Sequence, residues 1–130
     1  MAILSVDLDH FKSINDSYGH AAGDEALKAF VEMVRKLCRT TDIIGRFGGE
    51  EFVIFCPEAD IERAEMIAER VRKSMEEKVI HYQHHEFKVT VSIGVTSVTD
   101  ADTDIDKILE RADSLLYDAK HKGRNCFVSG

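Results

Sequence analysis

A chain of 130 residues with 44% hydrophobic and 32% charged side chains has the composition of one soluble domain with a single core. A net charge of −7 excludes the basic footprint that non-specific nucleic-acid or membrane-surface binding needs. A small anionic ligand would therefore depend on metal ions or on local Lys and Arg. Cys38, Cys56 and Cys126 are too widely separated for a disulfide frame or a zinc set and read as buried free thiols of a reducing compartment, and no apolar run approaches a membrane span.

Ala2–Val6 reads as a buried strand that opens the chain with no signal peptide before it, so a fragment of a longer polypeptide is expected. The strand ends in Asp7-Leu8-Asp9, and a helix begins near His10. Acids at a strand's carboxyl end before a helix commonly face a ligand crevice. One of the two could instead cap the helix; Asp9 is the better cap, which leaves Asp7 free. The helix ends at Gly19, and His20-Ala21-Ala22-Gly23-Asp24 reads as a small-residue loop before a second helix carrying Leu27, Phe30, Val31, Val34 and Leu37.

Arg39-Thr40-Thr41-Asp42 leads into two short apolar runs, Ile43–Phe47 and Phe52–Cys56, which read as a β-hairpin around Gly48-Gly49-Glu50-Glu51. The glycines permit a tight turn and a close approach of ligand to the main chain. The adjacent carboxylates suit a hard cation, or they form a charged loop tip that only keeps the hairpin soluble. A third helix, capped by Asp60, carries Ile61, Ala64, Ile67, Ala68, Val71 and Met75. Residues 80–86 read as a polar connection whose His81, His84 and His85 lack a cysteine or carboxylate pattern for metal. Phe87 to Val95 alternates strictly between apolar and polar positions, as a strand apolar on one face does. The last helix buries Ile105, Ile108, Leu109, Ala112, Leu115, Leu116 and Ala119, stops at Gly123 and precedes a short strand at Cys126-Phe127-Val128. Hairpins mixed with crossovers imply an α/β fold with a mixed sheet flanked by helices.

If the first strand pairs antiparallel with the strand starting at Glu51, Asp7 comes to lie beside Glu50 and Glu51. Clustered carboxylates repel unless a cation lies between them. With the Leu8 carbonyl they would make a site for one or two Mg²⁺, completed by phosphates and water. The helix starting near His10 would turn free N–H groups toward those phosphates, with Lys12 on its first turn. The usual glycine-rich phosphate loops are absent from the chain.

The stretches Asp7–Asp16, Tyr18–Asp24, Arg46–Phe52, Val91–Val95 and Ala112–Asn125 resemble, in order and nearly end to end, the GGDEF domain of diguanylate cyclases. The resemblance implies a mainly antiparallel central sheet, similar to nucleotide cyclase catalytic and polymerase palm domains, for the whole of residues 1–130. It implies condensation of two GTP into cyclic di-GMP with release of two pyrophosphates. Asp7, the Leu8 carbonyl, Glu50 and Glu51 would hold two Mg²⁺ per active half-site, with Mn²⁺ as a substitute. Glu50 would also accept the 3′-hydroxyl proton. Lys12, Lys120 and Arg124 would neutralise the triphosphate. Asn15 and Asp24 would read the base, with His20 nearby. One carboxylate can accept from both N1–H and N2–H₂ of guanine, a pair that adenine lacks; the alternative for Asp24 is a plain helix cap.

Arg39-x-x-Asp42 fits the family's inhibitory product site, with Arg70 as a second arginine from a neighbouring domain; the alternative is a surface ion pair. Because each domain holds one GTP, a head-to-head homodimer is expected to be needed for catalysis. Neither nucleic acid nor direct membrane contact is expected. The expected compartment is the cytoplasm, with membrane tethering of the parent left open. The family's D-x-L-T-x-L-x-N-R segment is missing before the first strand, as expected for an N-terminally truncated fragment. The competing function is a catalytically silent GGDEF module that senses GTP or cyclic di-GMP; the intact Asp7, Glu50, Glu51, Lys120 and Arg124 argue against it.

Overall fold

The computed structural model describes residues 1–130. Its strands are β1 (Ala2–Leu8), β2 (Ile43–Arg46), β3 (Glu51–Cys56), β4 (Ile80–Tyr82), β5 (His85–Phe87), β6 (Val91–Ser97) and β7 (Phe127–Ser129). Its helices are α1 (Phe11–Tyr18), α2 (His20–Leu37), α3 (Ile61–Glu77) and α4 (Ile105–His121). The main sheet has the order β2-β3-β1-β6-β7, antiparallel throughout except for β6 and β7. The expected mixed, mainly antiparallel sheet flanked by helices is therefore observed.

β1 is the central strand and is buried along its whole length. Successive side chains of a strand face opposite sides, and β1 uses both. Ala2, Leu4, Val6 and Leu8 join the large core under α2 and α3, with Phe30, Val34, Val71 and Met75. Ile3 faces the other way, with Val53, into a smaller cluster under Ile108 and Ala112 of α4. Ser5 and Asp7 continue that second face, and each finds a polar partner on α4. Ser5 Oγ donates to Asp113 Oδ1 at 2.7 Å, and Lys120 Nζ donates to Asp7 Oδ2. The strand's period of two and the helix's period of 3.6 thus place α4 along β1, and the contacts become polar toward the Asp7 end. The close fit of α4 explains Gly94 on β6. A Cβ there would lie 2.2 Å from the Ala112 carbonyl oxygen and 2.4 Å from the Leu116 nitrogen.

Several expectations change. Residues 80–86 are not a loose connection but contribute to the β4–β5 hairpin, whose Phe87 is buried and stacks on Tyr18 with ring centroids 4.9 Å apart. The alternating run from Phe87 to Val95 is broken at residues 88–90 and continues as β6, which is buried on both faces because α4 covers its polar side. His20–Asp24 is the first part of α2 and not a loop. Ile105 on α4 is half exposed rather than buried. Asp60 caps α3 as expected, accepting from the Arg63 N–H at 2.9 Å. The cysteines are free, with Cys56 buried and the other two half-buried. No helix is long and apolar enough to cross a membrane.

Candidate active site

The β1–β3 register places Asp7 directly opposite Glu51, with Glu50 next in the chain. The turn is stitched to the end of β1, because the Leu8 N–H donates to the Glu50 carbonyl at 3.2 Å. Arg46 braces the turn from the other side: its guanidinium donates to the Gly48 carbonyl at 3.1 Å and to the Gly49 carbonyl at 2.6 Å. Sequence reasoning gave Arg46 no role. Its signal was an arginine just before two glycines whose carbonyls have no strand partner. Neither Gly48 nor Gly49 has a positive φ, so the turn itself does not demand them. A Cβ on Gly49 would meet open space, so the rim of the turn is bare at this position.

Asp7, Leu8, Lys12, Glu50, Lys120 and Arg124 line one cleft of about 190 Å³ at the exit of β1. They come from β1, α1, the hairpin turn, α4 and the segment after it. The uncapped first turn of α1 borders the same space through Phe11 and Lys12. The first turn of α1, two lysines and an arginine set positive groups beside the carboxylates of this cleft.

Asp7 is only 4% exposed; it caps no helix, as expected, and is paired with Lys120. Burial pushes its carboxyl above the usual range. The hydrogen bond and charge of Lys120 pull it down, and the neighbouring Glu50 and Glu51 push it up again. Lys120 pairs with Asp7, while Glu50 and Glu51 form no ion pair, an arrangement with room for a bound cation. All donors gathered here are oxygens, the set a hard cation takes, so the residues fit Mg²⁺. No three His, Cys, Asp or Glu side chains converge to metal-ligating distance by themselves. Phosphate and water would complete any shell.

Asp9 corrects the expectation of a helix cap. The residue at the N-cap of α1 is His10, in a left-handed conformation with no side-chain cap bond. Asp9 is 5% exposed and accepts from Ser92 Oγ at 2.6 Å, Thr90 Oγ1 at 2.7 Å and the Asn125 N–H at 3.0 Å. It ties β1 to β6 and to the segment carrying Arg124.

Asn15, His20 and Asp24 lie outside this cleft, along α1 and α2. Asn15 packs over Gly23, where a Cβ would come within 2.0 Å of its Oδ1. That oxygen is buried and has no hydrogen-bond partner, an unusual state for a buried acceptor. Asp24 is exposed inside α2 and caps nothing, which removes the plain-cap alternative.

Arg39 and Asp42 close a turn at the far end of the hairpin: the Arg39 N–H donates to Asp42 Oδ2 at 2.9 Å, and the Asp42 N–H to the Arg39 carbonyl at 3.0 Å. With Cys38, Thr40 and Ile43 they line a cavity of about 230 Å³. Burial, with Asp42 nearby, pushes Cys38 up to about 11 and Cys56 up to about 12, so these thiols stay protonated. Arg70 is exposed on α3 and does not line that cavity. His81, His84 and His85 stay on the β4–β5 hairpin with no metal cluster.

The family model described as "Diguanylate cyclase, GGDEF domain" matches residues 1–126. Among curated relatives, the chain is 44% identical to diguanylate cyclase A of Treponema denticola over 125 residues, covering 96% of this chain and 34% of that protein. It is 40% identical to diguanylate cyclase DgcP of Pseudomonas aeruginosa, covering 96% of this chain and 18% of the relative. The chain thus spans about a third or less of these relatives' length. The active GGEEF domain of a diguanylate cyclase from Vibrio cholerae superposes with a TM-score of 0.91 at 35% identity, covering 98% of this chain and 81% of that one. The GGDEF domain of DgcB from Caulobacter crescentus, solved in complex with c-di-GMP, superposes with a TM-score of 0.92 at 26% identity, covering 98% and 76%. With the family model matched from the first strand to Cys126 and the sheet shared this closely, the chain belongs to the GGDEF domain family of diguanylate cyclases.

Proposed function

We propose that this domain condenses two GTP molecules into cyclic di-GMP in a head-to-head dimer. The observation that carries the reading is the single cleft where Asp7, Glu50, Lys12, Lys120 and Arg124 meet from distant parts of the chain. In each half-reaction the 3′-hydroxyl oxygen of one GTP attacks the α-phosphorus of the other. The new P–O bond forms as the bond to pyrophosphate breaks, and the hydroxyl proton passes to Glu50. Lys12, Lys120, Arg124 and the free N–H groups of α1 hold the triphosphate and offset the charge that grows on the leaving pyrophosphate. Asp7, Glu50, Glu51 and the Leu8 carbonyl would hold two Mg²⁺. The metal, when bound, supplies Lewis-acid stabilisation of the phosphate oxygens.

Asn15 and Asp24 would read guanine as the base, the Asp24 carboxylate accepting from both N1–H and N2–H₂, a pair that adenine lacks. Asp24 and His20 are one turn apart on α2, the helix whose Gly23 packs against Asn15. The Arg39–Asp42 turn and its cavity form the product-inhibition site, with Arg70 of a neighbouring domain as the second cation. The domain works in the cytoplasm, where GTP is made.

Incubation with GTP and Mg²⁺, followed by product analysis, tests the enzyme. Glu50→Gln is expected to reduce turnover by roughly 10²–10³-fold while GTP still binds. Binding of GTP by the parent without any product would instead support the silent sensor. Arg39→Ala is expected to relieve inhibition by cyclic di-GMP with little change in initial rate; persistent inhibition removes the Arg39–Asp42 assignment.

A further inference from the structure

The backbone after α4 is unusual. Gly123, Arg124 and Asn125 have φ of 114°, 63° and 47° in succession. Two consecutive left-handed residues other than glycine are strained and persist only when their surroundings over-determine them. The surroundings here are specific. The Arg124 N–H donates to the Ala119 carbonyl at 3.1 Å, and the Asn125 N–H donates to Asp9 Oδ2 at 3.0 Å. The Asn125 side chain is held at both ends, accepting from Arg72 Nη1 at 3.2 Å and donating to Glu76 Oε2. Arg72 is anchored on its own helix, donating to Glu69 at 2.9 and 2.6 Å and to Glu76 at 3.1 Å, with its side chain 17% exposed. Asp9 is anchored by Thr90 and Ser92.

Asn125, Arg72 and Glu76 do not line the cleft, whereas Arg124 does. The bonds therefore converge on a turn whose product is the position of one guanidinium. We propose that Asp9, Asn125, Arg72 and Glu76 form a brace that holds Arg124, the cation of the turn after α4 that lines the cleft, in place, making them positioning residues for triphosphate binding. This inference rests on the reading of Arg124 as a phosphate ligand. Asparagine suits the brace because it tolerates a left-handed backbone and presents one acceptor and one donor, matching an arginine and a glutamate. A glycine would keep the backbone and lose the fork.

That difference supplies the experiment. Binding of a GTP analogue with a methylene between the α- and β-phosphorus is measured for the parent chain, Asn125→Gly, Arg72→Met, Arg124→Ala and the double variant Asn125→Gly/Arg124→Ala. Asn125→Gly and Arg72→Met are each expected to weaken binding by about tenfold, within the range for a charge-assisted contact. In the Arg124→Ala background, Asn125→Gly is expected to add less than about twofold, because it acts through the group already removed. The division of the loss between KM and kcat is expected to copy that of Arg124→Ala, whereas a loss of folded protein lowers kcat alone.

Parent-like binding by Asn125→Gly overturns the brace, and so does a loss that adds in full to that of Arg124→Ala. Arg124→Ala binding as tightly as the parent overturns it too, by removing the contact the brace would serve. Failure of the enzyme reading looks different: the parent chain binds the analogue yet makes no product from GTP.

Discussion

Asp7 and Asp9 stand two residues apart at the exit of β1, equally buried at 4% and 5% exposure, and their surroundings are opposite. Asp9 receives three hydrogen bonds, from Ser92, Thr90 and Asn125, and each of its oxygens is engaged. Asp7 receives one side-chain bond, from Lys120, and faces two further acids. Burial by itself therefore says nothing about role. Both acids border the same cleft, but Asp9 has both oxygens bonded to the fold, whereas Asp7 accepts only from Lys120 and keeps acceptor capacity to spare.

Asp7→Asn is expected to have the largest effect on function, lowering product formation by roughly 10²–10³-fold. A buried carboxylate beside two others opposes folding, so the same variant is expected to melt no lower than the parent. Retained turnover, or a large drop in melting temperature, would erase the distinction between the two acids. Asp9→Ala is expected to do the reverse. It strands two hydroxyls and one N–H in the interior and is expected to cost roughly 2–4 kcal/mol in denaturant unfolding. An unfolding midpoint equal to the parent's would show that these bonds carry no net stability.

Asp102 sharpens the comparison from outside the core. It too is fully engaged, by Arg111 at 2.9 and 3.0 Å and by the Thr99 N–H at 3.0 Å, but it lies in a surface loop. The Arg111 hydrogen bond, followed by that of Thr99, holds its carboxyl down to about 2 against an ordinary 3.8. A lowered folded value means stability that is complete above the ordinary value and lost as pH falls through the folded one. Asp102→Asn is expected to lower the melting temperature slightly at pH 7, with the difference shrinking between about pH 4 and about pH 2. A difference that is constant with pH would assign the effect to packing instead.

Much of the site was legible from residue type and order. Asp7, Glu50 and Glu51 could be brought together on paper because an antiparallel pairing of β1 with β3 follows from two apolar runs and a hairpin turn. The helices were legible from apolar spacing, and Asp60 from its place before a periodic run. Positions whose meaning depends on distant partners were not. Asp9 looks like a helix cap locally, and its true partners are more than eighty residues away. Asp24 looks like a loop residue after Gly19, yet α2 begins at His20 because Ala22 and Ala26 are buried against the core. The β4–β5 hairpin hides in a polar stretch because its stability comes from Phe87 stacking on Tyr18 rather than from its own pattern.

The amino-acid sequence alone determined the order of the helices and of the main-sheet strands, the family and the set of charged groups available for phosphate and metal, since these depend on local periodicity and residue chemistry. Only the tertiary structure decided what engages Asp9, which arginine braces the turn, and how α3 reaches the Arg124 segment. The physical reason is that a carboxylate or guanidinium takes its role from the donors and acceptors around it, and those are assembled by packing between segments far apart in the chain.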